Sequence, residues 1–485
     1  MNSPETDLSR IVIIGGGTTG LLAAALLSKW LPDKRITLIE KGESLGGLLR
    51  SFDYGENGRF DYGAHNFQET LIPEIDDLFL NLIPVTDWHI LPGAKREIAG
   101  NYFCGKLNFN SPFFNLTHLD KPDYESCVGD FFINLNGENG AINTTLEGYP
   151  ENAYEFSMIR YGEAITEKII RPAIQKLFSL DLELAHRLPM LFLPLSRVAF
   201  LRDDTVCDLT RSEILRERIA YTNQRDLPLE RSSGKRIFYP KTLGMQQMID
   251  GFEKLLISQG VEIIKSAMVT GVTHDKGNVN SLTLNTGEAI SVEHLFWTAG
   301  IHPLAKTFDL MKPEDSFDPP LKTVFIHYQL DHRPKLEDIY FLYPFDPEFM
   351  TYRVVNYANY CPQAAEGPHY PVTLEMFLSA NSKINKENLM ARGLEELKKM
   401  GVVPGEARAI FSVVESTAEG FPMPTMKNMV LTKTRRERIQ DLKLKNLNLL
   451  GILSKDELLF HKDIILDTYH QVKSYAEEFC LASIR

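Results

Sequence analysis

Three observations predict an α/β fold: a parallel sheet with helices on its faces, interleaved with an α+β part that carries a mixed or antiparallel sheet and a helical insertion. The first is the order strand, glycine turn, helix, strand, acid over residues 10–40. The second is a set of short β-rich runs between Pro- and Asp-rich turns in residues 306–435. The third is an apolar stripe at helical spacing, Met158, Tyr161, Ile165, Ile169, Ala173 and Leu177, in which Pro172 is expected to end or kink the helix.

The N-terminal unit is read first. The apolar run Arg10–Ile14 enters Gly15-Gly16-Gly17-Thr18-Thr19-Gly20, a helix-forming stretch follows, and the run Arg35–Ile39 ends at Glu40. Gly15 permits the tight turn, Gly17 lets backbone approach a pyrophosphate, and Gly20 allows close packing of the helix. The helix N-terminus offers free N–H groups and a positive dipole end to phosphates. Glu40 is placed to accept hydrogen bonds from ribose hydroxyls. A carboxylate there repels a 2′-phosphate, which argues against NADP. The expectation is a dinucleotide site, against the plainer alternative of a glycine-rich turn in an ordinary α/β domain.

The next segment separates the dinucleotides. Glu40 is followed by the pair Gly46-Gly47, then by Phe60-Asp61-Tyr62-Gly63-Ala64-His65. A second glycine pair after the ribose acid serves no purpose for a nicotinamide, whereas an extended FAD runs along such a loop. Here the chain resembles the FAD-dependent amine oxidases, protoporphyrinogen oxidase-like proteins and UDP-galactopyranose mutases. In that group the acid is followed by a Gly-Gly pair with a nearby basic residue, then by a Phe-Asp-x-Gly-x-His-like turn beside the flavin. This sequence departs in one place: Leu48 directly follows the pair, and Arg50 is the candidate substitute.

Later segments extend the resemblance over roughly residues 10–300 and 410–480. Tyr161-Gly162-Glu163-Ala164 with Lys168, Arg171-Pro172 and Lys176-Leu177-Phe178 is similar to a helical stretch of the group. Phe238-Tyr239-Pro240-Lys241 with Gly244 resembles the segment that leads into its next helix. The stretch from Gly260 to Val269 resembles a strand whose backbone contacts adenine. Leu295–Gly300 resembles a strand that ends at the pyrophosphate. Gly451 and the helix after His461 correspond to the part that closes over the flavin in relatives. The cofactor implied is FAD, and the cofactor-binding set is Gly15, Gly17, Gly20, Glu40, Gly46, Gly47, Arg50, Val269 and Gly451.

The expected domain arrangement is discontinuous. Residues 8–70, 236–305 and 440–485 form the FAD-binding domain, and residues 71–235 and 306–435 form the substrate-binding and helical domain. Strands are expected around Arg96–Phe109 and at Thr323–Tyr328, Tyr340–Leu342, Tyr352–Val355 and Val372–Phe377. Another is expected at Ser281–Leu284, ending in the turn Asn285-Thr286-Gly287.

Candidates for the chemistry come from segments that relatives place near the flavin. His65 either faces the flavin or is a turn histidine with a satisfied hydrogen bond. Arg353 lies on a strand expected to face the cavity, against the alternative of an exposed strand arginine. His461, with Lys462, either sits over the flavin or belongs to a solvated pair. Glu375, an acid inside an apolar run, is expected to be buried and paired, with Arg353 the candidate partner. Tyr239 and Tyr343 read as core aromatics.

Composition bounds the partners. A chain of 485 residues with 44% hydrophobic and 24% charged residues reads as a soluble globular protein of two or three domains. The net charge of −12 and the lack of a basic patch interleaved with aromatics argue against a nucleic-acid partner. The polar start Met1–Asp7 is not a signal peptide, and no apolar run is long enough to span a membrane. Five scattered cysteines without a C-x-x-C pair suit a reducing cytoplasm, and each reads as a buried small side chain. Twelve histidines show no ligand spacing, so no metal is expected.

Two activities are implied. One is an oxidoreductase passing a hydride from a small molecule, such as an amine, to FAD. The other is a mutase-like, non-redox flavoenzyme acting on a nucleotide sugar. The segment Asn101–Leu107, the Tyr161–Phe178 helix and the Tyr352-Arg353 strand are similar to the mutase branch. Ile452, however, stands where that branch has an arginine after the glycine, and its nearby tyrosines are absent. A diphosphate deprived of such an arginine loses charge-assisted bonds worth about 1.5–3 kcal/mol each. The reading therefore leans to the oxidoreductase. A flavin-binding protein without turnover is the third possibility. Substrate choice falls to the two insertions, which carry no specific motif.

Overall fold

The computed structural model describes residues 10–91, 99–135, 149–225, 227–228, 234–417 and 422–484. The Met1–Asp7 start and Arg96 lie outside them. Four apolar runs, Arg10–Ile14, Ile36–Ile39, Glu262–Ile264 and Leu447–Leu449, lie parallel with the end of the long strand Ala289–Trp297. Arg10–Ile14 is buried throughout, as a central parallel strand covered on both faces requires. Ala289–Trp297 also turns back into an antiparallel meander with Asn278–Leu284 and Val269–Asp275. The turn after Leu284 falls at Asn285–Gly287, as expected.

Helices cover one face of this sheet. Thr18–Trp30, Gln246–Ser258 and the final helix His461–Ile484 contribute Leu22, Leu26, Met248, Phe252, Tyr469 and Val472 to one core. On the other face the meander packs with Ile301–Thr307 and with Ile439 of the helix Met426–Asp441.

A second seven-stranded sheet is built from two distant stretches of chain. Its order is Ala409–Thr417, Lys322–Leu330, Tyr370–Leu378, Arg353–Asn356, Phe341–Pro344, Ala99–Phe103 and Lys106–Asn108. The four runs expected in residues 306–435 are all strands here, and Ala409–Thr417 is an additional one. One face packs on the helix Lys386–Lys399, and the other looks toward the parallel sheet.

The helical insertion departs from expectation. The stripe from Met158 is not one helix kinked at Pro172. Ala153–Tyr161 ends at Gly162, which takes φ +84 with the Asp130 carboxylate where a side chain would lie. The chain restarts at Glu163–Ile165, widens into a π-turn over Thr166–Ile170, and continues as Arg171–Phe178 with Pro172 in its first turn. The wider turn accommodates a ring that cannot donate an N–H and would clash with a tight α-turn. The cysteines also depart in part. Cys127 and Cys361 are buried, but Cys104, Cys207 and Cys480 are exposed.

Asp61 joins three of these pieces. Its fully buried carboxylate accepts from Ser51 Oγ at 2.6 Å, Tyr239 OH at 2.6 Å and the Met245 N–H at 2.9 Å. Tyr239 lies in the strand Ile237–Pro240, and Met245 begins the helix Gln246–Ser258. Burial raises the Asp61 pKa from 3.8 to about 6, against the pull of those donors. Asp61→Ala leaves three buried donors unpaired, with an expected loss of about 3 kcal/mol in urea unfolding. Because the folded pKa is the higher one, the group's contribution is full below pH 4 and is lost as pH rises through about 6. Comparing the unfolding free energies of wild type and Asp61→Asn across that window should show the slope in the wild type alone.

Candidate functional site

The parallel strands finish in register. Ile264 pairs with Ile39, Ile39 with Ile14, Ile14 with Trp297 and Trp297 with Leu449. The chain therefore leaves the sheet at one edge through Lys265, Glu40, Gly15, Thr298 and Leu450-Gly451. This is the carboxyl edge, where the connections diverge and open sheets bind ligands.

Gly15 turns with φ +104 and donates its N–H to Ile39 O at 2.8 Å. A side chain on Gly20 would collide with the Gly15 carbonyl oxygen, so the third glycine lets the helix press on the turn itself. Gly17 faces open space, and the helix Thr18–Trp30 begins there without a side-chain cap. Its first-turn N–H groups point into that opening.

The second glycine loop folds against the first. The Gly46 N–H donates to Gly16 O at 2.7 Å. A Cβ on Gly47 would lie 3.4 Å from Gly17 Cα, so two bare backbones face each other. Arg50 folds back on this loop, donating to Gly47 O at 2.9 Å and Ser44 Oγ at 3.1 Å, with its guanidinium over the Tyr62 ring. Glu40 braces both loops, accepting from the Gly16 N–H at 2.6 Å and the Gly42 N–H at 2.7 Å. Each carboxylate oxygen keeps a lone pair for a further donor. The segment leading to Val269 is tied to the same place, because the Ala267 N–H donates to Glu40 O. The Val269 side chain itself is buried.

Gly451 completes the edge. Its φ is +91, and a Cβ there would lie 3.4 Å from Thr298 O and 3.8 Å from Thr19 Oγ1. The loop after it places Leu453 and Glu457 in the left-handed region and leaves Ile452 and Phe460 exposed. Two buried arginines hold this loop. Arg436 donates to Leu453 O and pairs with Asp456, and Arg187 from the helical insertion pairs with Glu457.

His65, Arg353 and His461 come from three separate segments and converge. His65 and Arg353 are half-buried and His461 is exposed, and both of the latter lie near enough to act on the His65 ring. Burial pushes the His65 imidazole down to about 3, helped by the nearby Arg353 and His461. Burial alone takes His461 down to about 4. His65 Nε2 meets Tyr62 O at 3.2 Å; a carbonyl only accepts, so Nε2 carries the proton and Nδ1 is the acceptor.

The expected pairing of Glu375 with Arg353 is present. Glu375 Oε1 and Oε2 accept from Arg353 Nε at 2.6 Å and Nη2 at 2.8 Å. Burial opposes the Arg353 charge, but Glu375 outweighs it and holds the guanidinium firmly protonated. Tyr352 OH and the Ala64 N–H donate to the same carboxylate at 2.8 and 3.3 Å. Any Cβ on Gly63 would lie 2.7 Å from Glu375 Oε2, so the turn carrying His65 seats on Glu375 through a glycine.

Tyr239 is a core residue, as read from sequence. Tyr343 is buried too, in an aromatic wall with Phe341, Tyr352 and Phe377. Sequence reasoning missed that wall and the linking role of Asp61. The signal for Asp61 was its place in the Phe60–His65 motif; the wall had none beyond scattered aromatics in β-rich runs.

Residues 13–79 match the family model of the NAD(P)-binding Rossmann-like domain. No curated protein sequence matches the chain significantly. Among solved structures, the chain is similar to a reduced UDP-galactopyranose mutase, with TM-score 0.71 and 18% identity over 96% of this chain and 94% of that one. A putative protoporphyrinogen oxidase from Exiguobacterium sp. 255-15 gives 0.67 and 17%, over 97% and 99%. A CLA-producing fatty acid isomerase from P. acnes gives 0.57 and 15%, over 97% and 99%. At the level of fold, the resemblance drawn from the motifs holds over nearly the whole chain. No helix among the described residues is long and apolar enough to cross a membrane.

With a pKa near 3, His65 should stay neutral from pH 8 to pH 5. Its ring-proton NMR shifts are expected to stay flat over that range, while an ordinary exposed histidine titrates near 6.5. Because the folded pKa is the lower one, His65 also makes the fold less stable as pH falls below about 6.5.

Proposed function

We propose that this chain is an FAD-dependent oxidoreductase that removes a hydride from a small organic substrate. One observation carries the reading: the glycine-lined opening at the carboxyl edge, between Gly17, Gly47 and Gly451, with the uncapped start of a helix behind it. The residues present fit the cofactor. A side chain at Gly17 would fill the opening, and the helix behind it lacks a cap. On this reading the first-turn N–H groups hold the pyrophosphate, Glu40 receives ribose hydroxyls, and the backbone near Val269 meets adenine. Arg50 supports the Gly46-Gly47 loop in place of the usual basic neighbour, and Gly451 closes the far side. Residues 8–70, 236–305 and 440–485 hold the cofactor, and residues 71–235 and 306–435 hold the substrate.

When bound, FAD supplies the two-electron acceptor. The chain's own contribution is position and exclusion of water. With a pKa near 3 His65 is neutral at pH 7 and a weak proton acceptor, so it suits orienting a substrate donor through Nδ1 better than abstracting a proton. His461, near 4, is limited in the same way. The five cysteines are all free, which supports a reducing compartment and thus the cytoplasm.

A second reading, a non-redox mutase acting on a nucleotide sugar, draws on the fold shared with the UDP-galactopyranose mutase. Ile452 weakens it, because the position that would carry a diphosphate-binding arginine is an exposed aliphatic side chain.

Purified protein held anaerobic should show the two visible flavin bands, and these should bleach with an oxidisable substrate. Gly17→Val is the sharper test. Gly17 has an ordinary φ of −74 and no neighbour within 4 Å of its Cβ direction. The variant should therefore unfold within about 0.5 kcal/mol of the wild type, yet carry no flavin. A yellow, fully loaded Gly17→Val protein, or a wild type that takes up no flavin, would overturn the assignment.

A further inference from the structure

Arg353 is the cation that the second sheet presents to His65 and His461, and one of its two bidentate edges is occupied. The Nε and Nη2 hydrogens that would fork onto a carboxylate or phosphate are both held by Glu375, at 2.6 and 2.8 Å. The Glu375 side chain is only 2% exposed and has two further donors, Tyr352 OH and the Ala64 N–H, so it does not swing aside. An anion brought to Arg353 meets the Glu375 charge at close range in a poorly solvated site, where like charges repel strongly.

The surface around this neutral pair is aromatic. The Arg353 guanidinium lies 5.9 Å from the Phe341 ring centroid and 5.4 Å from that of Tyr352. Tyr352 stacks on Phe377 at 4.4 Å and 10°, and Phe341 meets Tyr343 edge-on at 5.5 Å. Phe377 is stacked between Tyr352 and Phe178, whereas Phe341, beside the guanidinium, retains accessible surface, and a flat ring of this kind favours a planar partner.

We infer that the cleft selects an uncharged substrate with a planar apolar body, and that Glu375 sets this preference by cancelling Arg353. The inference rests on the reading that the cleft shared by His65, Arg353 and His461 is the substrate site. Glu375 is a specificity-determining residue in this scheme, and it needs no contact with the substrate.

Benzyl alcohol and benzoate share a ring and differ in charge, and UDP supplies the diphosphate. Calorimetric titration of the purified protein, kept anaerobic, with each probe is the test. Benzyl alcohol should bind at least about tenfold more tightly than benzoate, and UDP should give no binding heat with the flavin-loaded protein. Glu375→Gln should tighten benzoate by about tenfold or more, leaving benzyl alcohol within about threefold, and adding Arg353→Gln should cancel that gain. Phe341→Ala should weaken benzyl alcohol by about fivefold.

Tighter wild-type binding of benzoate or UDP than of benzyl alcohol overturns the inference. So does a failure of all neutral binding, or a Glu375→Gln protein with unchanged benzoate affinity. The wild-type ranking and Phe341→Ala decide the matter should Glu375→Gln not fold. The visible spectrum of the same sample separates the two proposals. A colourless protein that prefers benzyl alcohol keeps this inference and loses the flavin. A yellow protein that prefers benzoate does the reverse.

Discussion

The Glu375 carboxylate is the constraint on which the cleft depends. Burying a carboxylate is costly unless its oxygens are paired and hydrogen-bonded, and here Arg353 supplies both charge and two donors while Tyr352 and Ala64 supply the rest. The group is more than a satisfied ion pair. Arg353 and Tyr352 belong to the second sheet and Ala64 belongs to the turn that follows the glycine loops. One carboxylate therefore fixes the distance between the two halves of the molecule at the point where they face each other. Removing it would leave a buried guanidinium unpaired and would release the turn that carries His65.

Asp61 secures the other end of that turn. It gathers Ser51, Tyr239 and the start of the helix Gln246–Ser258, only a few residues before Ala64 meets Glu375. His65 thus sits just beyond a segment pinned twice, by two buried carboxylates with different neighbours. The two acids are not equivalent. None of the three groups that Asp61 accepts from is a cation, and burial raises its pKa to about 6. Glu375 holds a guanidinium by both oxygens. The first device trades on hydrogen bonds alone and is sensitive to pH; the second is a charge pair that sets the electrostatics of the cleft.

These pieces differ in how far the sequence revealed them. The strand, turn, helix, strand and acid over residues 10–40 were legible because each makes a local demand on backbone or charge, and the site loops fall where the motif put them. Arg353 and Glu375 were legible as a pair because an acid inside an apolar run needs a partner. Glu40 was read for its ribose contact, whereas its visible work is to brace Gly16 and Gly42, a contact between loops that no spacing rule encodes. The helix break was assigned to Pro172 when Gly162 carries it, because a proline's clash can be absorbed by a π-turn, while a left-handed glycine packed on Asp130 ends a helix outright. Ala409–Thr417 escaped notice for a similar reason: it is an edge strand whose residues are mostly half-buried, so its pattern is weak.

The fold alone does not select the chemistry, since the proteins that share it include a mutase, a putative oxidase and a fatty acid isomerase. Selection must come from what this chain adds to the common edge. Beside the glycine loops it offers Leu48, Ile452 and Phe460, three exposed apolar side chains that add no charge of their own. The loop bearing Ile452 and Phe460 is not free to rearrange and expose other groups, because Arg187 and Arg436 hold Glu457 and Asp456 from opposite elements. Leu453 and Glu457 accept left-handed backbone within it, a conformation that side chains other than glycine adopt at a cost of about 1–2 kcal/mol each and keep only where the surroundings enforce it. This loop therefore leaves the capture of an anion at the opening to the backbone N–H groups of the uncapped helix start, not to side-chain cations.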